Sequence, residues 1–126
     1  MKKEFNYVVE RSEDVSSKLQ EFDAATKEEF KAPVFKLNRG AFLNVAKCFE
    51  DPKKPMQGVE ECTMKAFEPL ANYERELQTI WKTELTSMRG CFEKCQPTDK
   101  TCLSKCFNDF AARTHSKLTD IHNHLV

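Results

Sequence analysis

The chain has 126 residues with 20 basic and 20 acidic side chains, and a formal net charge of zero. That length suits one domain, or two small helical units sharing a core. The interspersed charges (32% of residues) and only three glycines favour long solvated helices over a β sandwich, and leave no basic footprint for nucleic acid or an anionic membrane.

Residues 1–12 read as a polar, extended lead. Val15, Leu19, Phe22 and Phe30 then mark one helical face, with Ser12 or Asp14 as its cap. Pro33 is expected to break or kink that helix. A second helix runs from about 34 to 49 with Leu37, Ala41, Val45 and Cys48 on one side, weakened by Gly40. Asp51-Pro-Lys-Lys-Pro55 is a turn. The longest pattern follows: Val59, Cys62, Ala66, Leu70, Tyr73, Leu77, Trp81, Leu85, Met88 and Cys91 recur mostly at intervals of three and four. It predicts one helix over roughly 57–95, kinked or briefly broken near 65–68 by Pro69. After a turn at 96–99, Leu103, Cys106, Phe107, Phe110, Leu118, Ile121 and Leu125 line a last helix, capped by Asp99 or Thr98. No segment approaches the ~20 apolar residues of a membrane span.

The six cysteines organise these helices. Cys91 and Cys95 lie four apart, as do Cys102 and Cys106, so each pair shares one helical face about a turn apart. Pro97 forces a reversal between them. In the resulting antiparallel pair the inner thiols Cys95 and Cys102 meet, as do the outer thiols Cys91 and Cys106. Cys48 and Cys62 flank the Asp51–Pro55 turn in the same way. One turn further out stand Asn44 and Ala66, so an outer bridge is absent as a pair, which supports an inner Cys48–Cys62 bridge. A four-thiolate zinc site from Cys91, Cys95, Cys102 and Cys106 is the alternative, although structural zinc favours C-x2-C knuckles. The fold expected is all-α: two disulfide-stapled antiparallel hairpins sharing a long central helix, with an N-terminal helical extension. It forms one domain over 1–126, divided into extension (1–33), first hairpin (34–68), and long helix with second hairpin (69–126).

Disulfides call for an oxidising compartment. Yet Met1-Lys-Lys-Glu-Phe5 lacks the apolar run of a secretory signal, and Glu4, Glu10, Glu13 and Asp14 make a poor mitochondrial presequence. Entry into the mitochondrial intermembrane space, with the chain trapped there by oxidative folding, reconciles the two observations.

Cys48…Cys62-Thr-Met-Lys-Ala66-Phe-Glu-Pro69-Leu70, then Met88-Arg-Gly-Cys91-Phe-Glu-Lys-Cys95 and Cys102-Leu-Ser-Lys-Cys106, resemble the "family with sequence similarity 136" proteins over roughly residues 30–120. Those are small helical mitochondrial proteins with two successive Cys-x3-Cys hairpins. The hairpins are more distantly similar to small Tim chaperones. Two departures are the missing outer cysteines at 44 and 66 and a short second turn. The resemblance implies a compartment and an architecture more than an activity.

No nucleophile elbow, phosphate-binding loop or metalloprotease motif occurs, so no enzyme, cofactor or resident metal is expected. His115, His122 and His124 have no carboxylate or cysteine at ligand spacing and read as solvated or partner-contacting. The aromatics either fill a core or form an interaction face, for which Phe22, Phe30, Phe42, Phe67, Trp81, Phe107 and Phe110 are the candidates. Residues 1–30 lie outside the staples, so their removal is expected to leave the hairpins folded. The expected role is structural: a peripheral accessory subunit or assembly factor bound to proteins of an inner-membrane complex. The alternative is a small-Tim-like chaperone for hydrophobic precursors.

Overall fold

In the computed structural model, residues 4–125 are described; the first three residues of the N-terminal lead and Val126 lie outside them. Four helices follow one another: α1 (Ser12–Glu29), α2 (Lys31–Cys48), α3 (Met56–Glu93) and α4 (Lys100–Asn123). No strand occurs among the described residues. α3 packs against both α2 and α4, so two antiparallel hairpins share it.

Helix lengths explain the layout. At ~1.5 Å per residue, α3 spans roughly 57 Å, while α2 and α4 reach about 27 and 36 Å. Paired from opposite tips, α2 and α4 must meet near the middle of α3. There Phe30, just before α2, stacks on His122 near the end of α4, with ring centroids 4.4 Å apart. Tyr73 of α3 completes the junction, its hydroxyl 2.8 Å from His122 Nε2.

The helix boundaries have local causes. Asp99 caps α4, its carboxylate accepting from the Cys102 N–H at 3.1 Å. The cap expected for α1 is corrected. Its N-cap is Arg11, without a side-chain bond, and Asp14 instead accepts from the Glu10 N–H at 3.2 Å. Pro33 accounts for the break that follows α1, as expected: it has no N–H to bond the Glu29 carbonyl, and its ring crowds that carbonyl. So α1 ends at Glu29, the chain turns at Phe30, and Pro33 sits in the first turn of α2, where a missing N–H leaves no helical bond unmade. α3 runs unbroken through Pro69. Pro69 and Lys65 are both exposed, so the carbonyl deprived of its partner reaches water.

The second hairpin carries nearly all the core. α1 folds back onto it alongside α4, and Phe22 meets Phe110 at 5.6 Å and Trp81 at 5.8 Å. The lead residues then add a layer. Phe5, Tyr7 and Val9 point inward at a strand-like period of two, while Asn6, Val8 and Glu10 are exposed. The Tyr7 N–H donates to Asn108 Oδ1 (2.9 Å) and the Val9 N–H to Ser104 Oγ (3.0 Å). Lys100 pairs with Glu10 at 3.1 Å. Tyr7, Val9, Phe22, Met88, Phe107, Phe110 and Ala111 form one buried cluster. Residues 1–30 are therefore no dispensable extension: their removal takes Tyr7, Val9 and Phe22 out of the core of the second hairpin.

Candidate interaction surface

Three disulfides hold the two tips: Cys48–Cys62, Cys91–Cys106 and Cys95–Cys102, with Cα–Cα distances of 5.7, 5.7 and 5.8 Å. Those separations are ordinary for disulfides. In the second hairpin an i, i+4 pair on each helix faces its counterpart across a short turn, and in the first a single cysteine on each helix does so. The two rungs of the second hairpin touch, with Cys95 and Cys106 sulfurs 3.7 Å apart. All six sulfurs are bonded, so the four-thiolate zinc alternative requires prior reduction of two bridges.

Polar links tie the three-helix half together. Glu84 of α3 is buried and bonds Arg113 (2.9 Å) and Lys117 (2.5 Å) of α4. Burial alone would raise its carboxyl, but the hydrogen bonds and charges of Lys117 and Arg113 hold it below the usual carboxylate range. His115 and His122 are buried rather than solvated, which corrects the surface reading of both; His124 is exposed. The cause is Phe30, which α1 carries against both rings, at 5.6 Å from His115 and 4.4 Å from His122. Glu29 meets His115 Nε2 at 2.6 Å. His122 Nδ1 lies against the Leu118 carbonyl, which only accepts, so Nδ1 carries the proton and Tyr73 donates to Nε2. Burial lowers the His122 pKa, partly opposed by the Leu118 hydrogen bond. Burial, then the charge of Glu74, raises that of Tyr73. Both stay neutral near pH 7.

No family model, curated protein or solved structure matches the chain. What the surface can do therefore rests on its own geometry.

The aromatic candidates divide. Phe22, Phe107 and Phe110 are fully buried and drop out of any docking face, because α1 and the N-terminal segment cover them. Phe30 and Trp81 are half-buried and line a groove of about 400 Å³ at the junction, with Leu70, Tyr73, Leu77 and Leu118. Phe42 and Phe67 are exposed, their rings edge-on at 5.7 Å across α2 and α3.

Around that pair lies the surface that sequence reasoning underestimated. Phe35, Phe42, Leu43, Phe49, Met56, Met64 and Phe67 are exposed, Phe35 by 66% and Met64 by 73%. Apart from Val8, these are the strongly exposed large hydrophobics among the described residues, and all sit on or beside the first hairpin. Its fully buried positions hold only small groups, Ala41, Ala66 and Cys48, while Leu37, Val45 and Val59 are half-buried. With α1 committed to the other half, no third helix covers this arm. The spacing Phe35–Phe42–Phe49 was the available signal, since steps of seven keep side chains on one flank of a helix, beside rather than within the Ala41–Cys48 face. Seven large hydrophobics left exposed on one two-helix arm mark a contact site.

Proposed function

We propose that this chain is a non-enzymatic structural protein of the mitochondrial intermembrane space, an accessory subunit or assembly factor docked peripherally on an inner-membrane complex. The observation that carries the reading is the bare first hairpin, with seven large hydrophobics exposed on a two-helix arm whose opposite half is fully packed. Phe42 and Phe67 form its aromatic anchor, a residue class enriched at the cores of protein interfaces. Three disulfides support an oxidising compartment. No helix among the described residues is long and apolar enough to cross a membrane, in keeping with peripheral attachment.

The chaperone reading draws on a different observation. Met56 and Met64 are among the most exposed residues of the arm, and flexible thioether side chains adapt to varied apolar clients. One experiment separates the two. The intact protein and a Phe42→Glu/Phe67→Glu variant are compared by native electrophoresis of mitochondrial extracts and by suppression of aggregation of an unrelated hydrophobic protein. A stable subunit co-migrates with one large complex and the variant does not. A chaperone runs as a small species and protects the unrelated protein. Co-migration unaffected by the variant removes the arm from the docking role.

A further inference from the structure

The zero net charge conceals a segregation. α2 carries Lys31, Lys36, Arg39 and Lys47 and no acidic residue at all. The adjoining stretch of α3 carries Glu60, Glu61, Glu68, Glu74 and Glu76 against Lys65 and Arg75. The hairpin is therefore a basic helix laid against an acidic one.

The side on which the basic residues lie matters. Ala41 and Cys48 point into the hairpin. At about 100° per residue, Lys36, Arg39, Leu43 and Lys47 fall on the opposite, outward side of α2, with Phe35 and Phe42 at its edge. All six are exposed. Glu61 and Glu68 lie on the outward side of α3, which faces away from α2, roughly two helix diameters or 20 Å off. Of the acids, Glu60 and Glu74 share the flank of Phe42 and Phe67 beside this surface, Glu74 lining the groove that Phe35 and Lys31 also line. The outer half of α2 thus presents three cations and three large apolar side chains, with no acid of its own helix among them.

From this arrangement we infer that α2 is an in-plane docking helix for an anionic lipid surface. An interfacial helix sinks its apolar side chains about 5–10 Å into the boundary between headgroups and acyl chains. Phe35, Phe42 and Leu43 fill that role, while the flexible stems of Lys36, Arg39 and Lys47 carry their charges back to lipid phosphates. At 18 residues with four cations, α2 is too short and too charged to span the bilayer. It lies flat. α3 behind it keeps its outward acids away from the negative surface, and the stapled tip holds the two helices in that order. The inference deepens the docking reading and rests on the first hairpin being an interaction arm. It names lipid, rather than only protein, as what α2 meets.

The test uses the full-length oxidised protein and sedimentation with two kinds of vesicle: phosphatidylcholine alone, and equal parts phosphatidylcholine and phosphatidylserine. Binding is expected to the mixed vesicles only, and to weaken as salt is raised. Each cation near such a surface contributes about fivefold in partitioning, so Lys36→Glu/Lys47→Glu should lose at least twentyfold. Leu43→Ser should weaken binding too, without altering its salt dependence. All three positions are exposed, and unchanged melting temperatures confirm intact folds. Equal binding to both vesicle types, or binding unaffected by the charge reversals, overturns the inference. So does a Phe42-dependent doubling of mass without lipid, which makes a second copy the occupant. If the protein ignores vesicles yet joins a large complex through Phe42, lipid docking fails and the subunit reading stands. Vesicle binding without any co-migrating complex leaves the reverse.

Discussion

Removing the Cys48–Cys62 bridge should loosen its hairpin far more than removing Cys95–Cys102 loosens the other. The perturbations are Cys48→Ser/Cys62→Ser and Cys95→Ser/Cys102→Ser, so that neither leaves a lone thiol. The first bridge joins residues 14 apart, close to the 15-residue loop for which chain entropy gives about 3 kcal/mol. That arm is thinly packed: its buried residues are Ala41, Ala66 and Cys48, with Leu37, Val45, Val59 and Cys62 only half-buried. The loss should therefore appear almost undiluted, as roughly a hundredfold rise in the opening equilibrium of residues 34–66. The second bridge joins residues seven apart, which alone corresponds to about 2.5 kcal/mol. There, however, Cys91–Cys106 still closes the same turn. Glu10–Lys100 and the Val9–Ser104 bond also clamp the start of α4. Hydrogen exchange on both variants measures the difference directly, segment by segment. Equal loss of protection in 34–66 and 80–110, or greater loss in the second hairpin, would refute the argument from backup.

Phe22→Ala empties a fully buried site and should cost about 3–5 kcal/mol, whereas exposed Phe42→Ala should change stability by no more than about 0.5 kcal/mol; urea denaturation of both settles it. Deleting residues 1–10 strips Tyr7 and Val9 from the core, so the melting temperature should fall and Phe107 should become accessible. A deletion without effect would make the N-terminal segment an ornament. Gly40→Ala should stabilise α2 by about 0.5–1 kcal/mol, since a Cβ there meets nothing within 4 Å; a lower midpoint would contradict this. His122 titrates below its ordinary value of 6.5 in the fold, so on acidification the unfolded chain takes the proton first. Its contribution is thus present above about pH 6.5 and lost as pH falls through the folded pKa. The melting temperature should drop from about pH 7.5 to 5.5, and His122→Gln should flatten that drop.

Much of the architecture was legible because it is local. A spacing of four places two thiols on one helical face, and a proline turn of a few residues brings the next helix back against it. The pairing of Cys91, Cys95, Cys102 and Cys106 follows from those two facts, and that of Cys48 with Cys62 from their places on either side of the Asp51–Pro55 turn. Asp99 as a cap belongs to the same short-range class. The path of α1 does not. Its Val15–Leu19–Phe22 face could have been buried against either hairpin, and only packing decided for the second. There Phe107, Phe110 and Met88 offered large side chains, where the first hairpin offered Ala41 and Ala66. That one non-local choice buried Phe22, Phe107 and Phe110 and drew His115 and His122 inward around Phe30. It also stripped the first hairpin of any cover. The alternation of Phe5, Tyr7 and Val9 was visible in the sequence, but its meaning depended on a groove that exists only once α1 and α4 lie side by side. Charge behaved likewise. The sequence has a net charge of zero, while folding turned the cations of α2 to one side of the arm and Glu61 and Glu68 to the other, because the cystine sets which face of each helix points inward.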